Sequence, residues 1–482
     1  GNVDLTGCNK LQNVLIKECD AYTEFNITGL ANLTEVVILN CPNLKTVNIS
    51  NCPNLIKVDI EGCNGLTDIA INGCPSITGN GANNYVTISE CGSLVNVDLS
   101  NNTALETFRI TKSNQSKIAK LHLTNTLVSK VSGDNADSNL LDLSLFTSLK
   151  DFSAQGNSAV KQIQFANVKD KYIILDKTFQ GCANLERIYG NIKLTNSSYS
   201  GTYGAFRGCS KFSIHGEATT WNNKAAYTNG VPKTPWEICS GVADNRGNAY
   251  DSVTANQAWV AGNKVTNLWF SNSSNQLNET FRGTAVTQFD VYYVFFMLVM
   301  SGVTKSQGCS YTFRELTSPA LFNWSQGKQP NRYMFYKCSM VTSFGNTFSS
   351  TTTFLYSPED GKDNGLFSPL TGLSSIGSMF GGSVIFSKKL FHRTSGNYSS
   401  LSSFTYESVA CICDTDEGFS EYSNYSNAAW LASNAKSTGN FDGFFKNAPR
   451  LSSFVSAFSG IYTLNFSTLV FPTSITTIRE AF

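Results

Sequence analysis

The sequence predicts a β-rich solenoid in which short parallel strands stack coil upon coil, with few helices. Three observations carry this expectation. Cysteines recur every eleven residues through the first hundred positions, alternating β-branched residues precede most of them, and the polarity of the chain comes from Asn, Ser and Thr more than from charge. Charged residues are 15% of the 482 and hydrophobic residues 41%, so charge falls well below the usual quarter. Neutral amides and hydroxyls suit stacked strands, where like charges directly opposite one another repel.

Cys8, Cys19, Cys41, Cys52, Cys63 and Cys74 lie on the eleven-residue grid, with Leu30 in its one vacancy. After a six-residue insertion the grid resumes at Cys91 and Asn102. Apolar residues sit at fixed offsets before each grid position: Leu33, Val36 and Ile38, then Leu44, Val47 and Ile49, then Leu55, Val58 and Ile60, then Leu66, Ile69 and Ile71. The V-x-I alternation puts two side chains on one face of a strand. Eleven residues reach at most about 36–40 Å, whereas a coil around two sheets about 10 Å apart needs roughly 40–55 Å. Two units therefore close one coil, and successive units alternate between its faces. On that geometry Cys19, Cys41 and Cys63 stack on one side and Cys52 and Cys74 on the other, about 4.8 Å apart. The spacing is within reach of a disulfide, but parallel Cβ bonds suit a ladder of buried thiols better.

The LxxVxIxxC/N pattern, over about residues 5–110, resembles the leucine-rich-repeat family, with Cys where Asn is usual and the nested eleven-residue period of some bacterial members. From about residue 172 the units are led by Phe: TFQGCANLERI at 178–188, YMFYKCSMVTSF at 333–344, LFSPLTGLSSI at 366–376 and FFKNAPRLSSF at 444–454. The segment FPTSITTIREAF at 471–482, with AFRGC at 205–209 and TFQGC at 178–182, resembles the BspA-like leucine-rich repeats. The expected organisation is a regular array over 1–170, then irregular BspA-like repeats over 171–482 with an insertion at about 217–277. The chain starts at Gly1 and stops inside a repeat unit, which reads as an excerpt of something larger. The resemblance implies an extracellular, cell-surface or virion protein that is not an enzyme. Many such proteins are adhesins that bind host proteins or other cells, and similar repeats occur in phage tail proteins. It further implies a protein or glycan partner on a cell surface, and other subunits of a larger assembly.

The insertion holds four of the six tryptophans, Trp221, Trp236, Trp259 and Trp269. Exposed, they are candidate ligand contacts for a glycan or protein; buried, they form a satellite core. A net charge of +1 supplies no basic stripe, which argues against a nucleic-acid partner. The most apolar run, VYYVFFMLVM at 291–300, is about half the length a bilayer-crossing helix needs, so no membrane span is expected.

Motifs of catalysis are missing from the sequence. His122, His215 and His392 are the only histidines, none in HExxH, and no phosphate-cradling glycine motif occurs. Neither catalytic residues nor a cofactor nor a metal is therefore expected. Two features point the other way. Cys411 and Cys413 precede Asp414, Asp416 and Glu417 in what could be a metal loop, and SPEDGKDNG at 357–365 gathers acids in an exposed turn. A tailspike-type glycan-degrading enzyme, drawing two carboxylates from distant coils, is the alternative function; a purely structural scaffold is another.

Overall fold

The structure, a computed structural model, describes residues 4–5, 7–111, 113–132, 139–166, 173–175, 178–194, 204–214, 227–228, 231–232, 266–272, 277–317, 335–347, 353–355, 367–377, 384–387, 393, 395–405, 411–413, 448–455 and 470–479. The chain falls into two compact units. The first comprises Gly1–Lys193 with Gly208–Phe212 and Val265–Asn267; the second holds the remainder.

In the first unit, five-residue strands follow one another along the eleven-residue grid. They are β1 (Asn13–Lys17), β2 (Glu24–Thr28), β3 (Glu35–Leu39), β4 (Thr46–Ser50), β5 (Lys57–Glu61), β6 (Asp68–Asn72) and β7 (Tyr85–Ser89). Next come β8 (Asn96–Asp98), β9 (Thr107–Thr111), β10 (Lys120–His122) and β11 (Lys130–Ser132). Odd-numbered strands form one parallel sheet and even-numbered strands another, so alternate units take opposite faces, as the coil length demands. Val36 pairs with Val58 and Ile38 with Ile60 in the first sheet, and Val47 with Ile69 in the second. The inward residues Leu33, Val36, Ile38, Val47, Val58 and Ile60 are completely buried. Each such side chain contributes about 1.5–3 kcal/mol relative to exposure. Cys41, Cys52, Cys63, Cys74 and Cys91 are buried as free thiols, each donating weakly to the carbonyl two residues back at 3.3–3.6 Å. The expected thiol ladders are what the stack contains.

The corners explain why the period is eleven. The residue just before each grid position takes a left-handed backbone: Glu18, Asn40, Asn51, Glu90 and Asn101 have φ between 52° and 64°, and glycines fill other equivalents. This turn keeps the N–H pointing along the stack, so Asn40 donates to Glu61 O at 2.8 Å and Asn51 to Asn72 O at 2.9 Å in the next coil. A tight turn from the grid residue to the following Leu then redirects the chain, with Leu44 N bonded to Cys41 O and Leu55 N to Cys52 O. Side chains in these turns stitch coil to coil: the Asn43 amide donates to Asp20 O at 2.9 Å and the Asn54 amide to Ala31 O at 2.7 Å. Where Asn102 replaces Cys, its buried amide accepts from Cys74 N and donates to Ile71 O and Leu99 O. Cys and Asn are interchangeable here because both are compact and can satisfy backbone groups at the bend.

The second unit uses the same corners with larger fillers. In FxxCxxL the Phe, Cys and Leu positions are ends of two consecutive turns: Cys338 N bonds to Phe335 O, then Val341 N to Cys338 O. The segment at 367–373 repeats this, with Leu370 N on Phe367 O and Leu373 N on Leu370 O. Strands Gln307–Gly308, Val341–Gly345, Ser375–Gly377, Ser403–Thr405, Ser453–Val455 and Thr477–Arg479 stack in parallel in chain order. Phe206, Phe281 and Phe313 stack face to face at 5.6 and 5.8 Å.

Residues Gln288–Met300 form α1, the single α-helix among the described residues, and contain the apolar run. Its start is fixed by a capping box between Thr287 and Asp290, and the buried Asp290 carboxylate also accepts from Ile214 N at 3.2 Å. Val291, Tyr293, Val294, Phe295, Phe296, Met297 and Leu298 are all buried, which explains the apolar run as an interior one. No helix among the described residues is long and apolar enough to cross a membrane.

Two glycines separate backbone strain from steric conflict. Gly29 and Gly79 have φ of +70° and +80°, but an added Cβ meets nothing within 4 Å at Gly29 and would sit 1.8 Å from Thr107 O at Gly79. Gly29→Ala is expected to cost about 1 kcal/mol, the ordinary left-handed penalty. Gly79→Ala should cost at least twice that in urea unfolding, and equal losses would contradict the packing at this bend.

Candidate functional site

The outward face of the odd-numbered sheet is built from residues alternating with the core positions. One file across it runs Asn13, Glu35, Lys57 and Tyr85, since Asn13 pairs with Glu35, Glu35 with Lys57 and Lys57 with Tyr85. Tyr85 is the only aromatic residue on this face among the described residues. Lys57 Nζ lies 5.5 Å from the centre of its ring, Arg109 Cζ lies 6.0 Å from it, and its hydroxyl is 3.4 Å from Asp59 Oδ2. The Glu35 carboxylate accepts a hydrogen bond from Lys57 and holds its ammonium above the ordinary lysine range. The ring is thus fixed by a cation from each neighbouring strand, with carboxylates anchoring the arrangement.

The six-residue insertion in the repeat borders this cluster. Despite a step lengthened from 22 to 28 residues, Val58 and Val86 pair in register. The extra chain is folded back over Asn84, whose amide accepts from Thr78 N at 2.8 Å and donates to Ser76 O at 3.0 Å. Asn80 contacts Glu106 and Thr107, and Tyr85 is the first strand residue after the loop. The one expanded bend of the early array therefore delivers the one aromatic side chain of the face.

The opposite face is different in kind. Asn48 donates to Asn26 Oδ1 at 2.7 Å, Ser50 to Thr28 at 3.0 Å, and Asn96 to Asp68 Oδ1 at 2.5 Å. These side-chain hydrogen bonds run from coil to coil and tie the coils together. His122, on the same face, lies 2.8 Å from Asp151 Oδ1; its register partners are Asp98 and Ser153.

Several residues singled out in the sequence lie outside the described residues: Trp221, Trp236, Trp259, His215, His392, the acidic turn at 357–365, and Asp414, Asp416 and Glu417. Cys411–Cys413 is a strand paired in parallel with Val384–Ser387. Trp269, on the strand Thr266–Phe270, is 7% exposed and offers a ligand almost no surface. Among the described residues no three His, Cys, Asp or Glu side chains converge as a metal site. The Tyr85 cluster escaped the sequence reading because Arg109, Asp59, Lys57 and Glu35 lie 24 to 50 residues from Tyr85 in the chain, although the insertion immediately before it was visible.

Burial and thiol–thiol contacts set the cysteines apart from one another. Burial pushes Cys63 up to about 12 and Cys91 up to about 11. In the stacked pair a hydrogen bond from one thiol to the other holds Cys52 below the usual range and Cys74 above it. At pH 8 a thiol titrating near 12 is ionised to about one part in ten thousand. Of the described cysteines, the exposed Cys8 and then the half-buried Cys19 should react with a thiol reagent in the native protein. Cys41, Cys63 and Cys91 should react only on unfolding, and prompt labelling of Cys63 would contradict the stack.

Compared with models of known protein families the chain matches none, and no curated protein is significantly similar to it.

Proposed function

We propose that this chain is a non-enzymatic repeat protein of an extracellular or virion surface, related to the BspA-like leucine-rich repeats, whose odd-numbered sheet presents a binding face. The observation that carries the reading is the coincidence of the expanded bend with Tyr85, the single aromatic on that face among the described residues, held between Lys57 and Arg109. Bends are where a solenoid changes length without disturbing its core, and insertions there commonly make contacts. A tyrosine fixed by its neighbours offers a large contact area with little ordering entropy left to lose. The partner that suits a shallow, charged and aromatic face is a protein or glycan of a cell surface, engaged as part of a larger assembly.

The test is binding of the fluorescently labelled chain to intact cells and to immobilised surface polysaccharides, alongside a measurement of new reducing ends. Tyr85→Ala and Arg109→Ala should each weaken binding about tenfold, in line with loss of a central contact of about 1–2 kcal/mol. Asn48→Ala, on the opposite face, should leave binding unchanged. Retained binding in both face variants would sink the assignment of the face, and polysaccharide turnover lost on one carboxylate substitution would make the protein an enzyme.

A further inference from the structure

The cysteines of the first unit stand in files along the stack, and one file opens towards solvent. Cys19, Cys41 and Cys63 hold the same place in successive coils, since Lys17 pairs with Leu39 and Leu39 with Glu61 two residues before them. The Cys41 thiol is in hydrogen-bonding contact with the thiols of both Cys19 and Cys63. Each also donates weakly to a carbonyl, Cys19 Sγ lying 3.3 Å from Lys17 O and Cys41 Sγ 3.4 Å from Leu39 O. Of the described cysteines Cys8 is exposed, Cys19 is half-buried and all others are buried. The turn that begins at Cys8 lies against the one that begins at Leu30, with the Asn32 amide donating to Asn9 O. The exposed thiol therefore faces a leucine position along the stack, whereas Cys19 faces a second sulfur.

Stacking in register turns the Cβ–Sγ bonds of one file the same way, which opposes the near-perpendicular torsion of a disulfide. The same arrangement suits a metal ion placed on the line between two sulfurs. With metal–sulfur bonds of about 2.3 Å, a linear S–metal–S unit spans about 4.6 Å, and the strand spacing that sets the coil step is about 4.7–4.9 Å. An ion that demands a tetrahedron has no third ligand here, because among the described residues no three His, Cys, Asp or Glu side chains converge. The ion that thiolates select and that accepts two of them in a line is Cu(I). Two thiolates around it leave a single negative charge, which is costly in a dry interior. The half-buried end of the file tolerates that charge better than the wholly buried pair Cys52 and Cys74.

We infer that Cys19 and Cys41 form a two-coordinate site for Cu(I), held between the first coils of the array. On binding, each thiol gives its proton to water and the ion takes the two sulfurs, with no change of oxidation state. Leu39 O loses the weak thiol donor but keeps the Glu18 N–H at 2.9 Å, so this carbonyl is not stranded. The ion enters at Cys19, the first residue of the file, and needs no opening of the deeper stack. This site rests on observations independent of the Tyr85 face.

Cu(I) is supplied without oxygen to the full chain in competition with a chromogenic Cu(I) chelator, and the copper retained per chain is measured. Cys19→Ser and Cys41→Ser should each lower the retained copper by about one ion per chain, whereas Cys8→Ser should leave it unchanged although Cys8 is the more exposed thiol. Leu30→Cys gives Cys8 a stacked partner and should raise retention by about one, a gain that no loss of folding can imitate. In the native protein Cu(I) should slow labelling of Cys19 by a thiol reagent at least tenfold and leave Cys8 reactive, as read by mass spectrometry. Excess Zn(II) should displace none of this copper. Full retention in Cys19→Ser, equal shielding of Cys8, displacement by Zn(II), or no gain in Leu30→Cys would each overturn the inference.

Discussion

A coil of parallel strands has no hairpin to close it, so the chain turns a corner at both ends of every strand without stranding a backbone donor. The left-handed residue before each grid position meets that constraint. For a residue with a Cβ this backbone costs about 1–2 kcal/mol. Losing a buried backbone hydrogen bond costs about 1–3 kcal/mol, and the corner recurs in every unit. The hydrogen bond wins, and so even Glu18 and Glu90 are found in a conformation that favours Gly and Asn. The grid residue that follows has to be small enough for the inside of the bend, which is why Cys dominates and Asn can substitute. The aromatic fillers of the second unit solve the same corner with more volume, and their stacked rings set coil against coil there.

The exterior follows from the same stacking. Pairing in register puts like positions side by side, so every outward file is a row of side chains one strand apart. A row can satisfy itself, as the Asn26–Asn48 amides and the Thr28–Ser50 hydroxyls do. It can also mix charge with an aromatic ring, as Lys57 and Tyr85 do. A self-satisfied row has little left to offer a partner, whereas a mixed one keeps ring edges and charged tips available. That difference, more than any cavity, separates the two faces of the first unit.

Much of this fold was legible in the sequence because its core obeys two periods at once, two along the strand and eleven along the chain. Val36, Ile38, Val58 and Ile60 could be placed inside from their spacing, as could the stacking of Cys41 on Cys63. The corner residue was equally visible, since Asn, Gly or Glu precedes every grid position from Gly7 to Asn101, but its meaning lies in a backbone angle that no hydrophobic pattern encodes. The candidate site was not legible. Tyr85 meets Arg109 only because β7 pairs with β9. The tryptophans drew notice by composition, yet Trp269 is turned inward, a reminder that large aromatic residues fill interiors at least as readily as they meet ligands.

The lengthened bend between β6 and β7 carries a wider implication. Six residues are added there, and the strands on either side remain paired as though nothing had been inserted. Interior and periphery are therefore mechanically decoupled in this array: length drawn in at a corner does not propagate into the stack. A lineage of such chains can diversify what it displays corner by corner while inheriting an unaltered framework. The same tolerance makes this corner a natural place to graft a foreign loop.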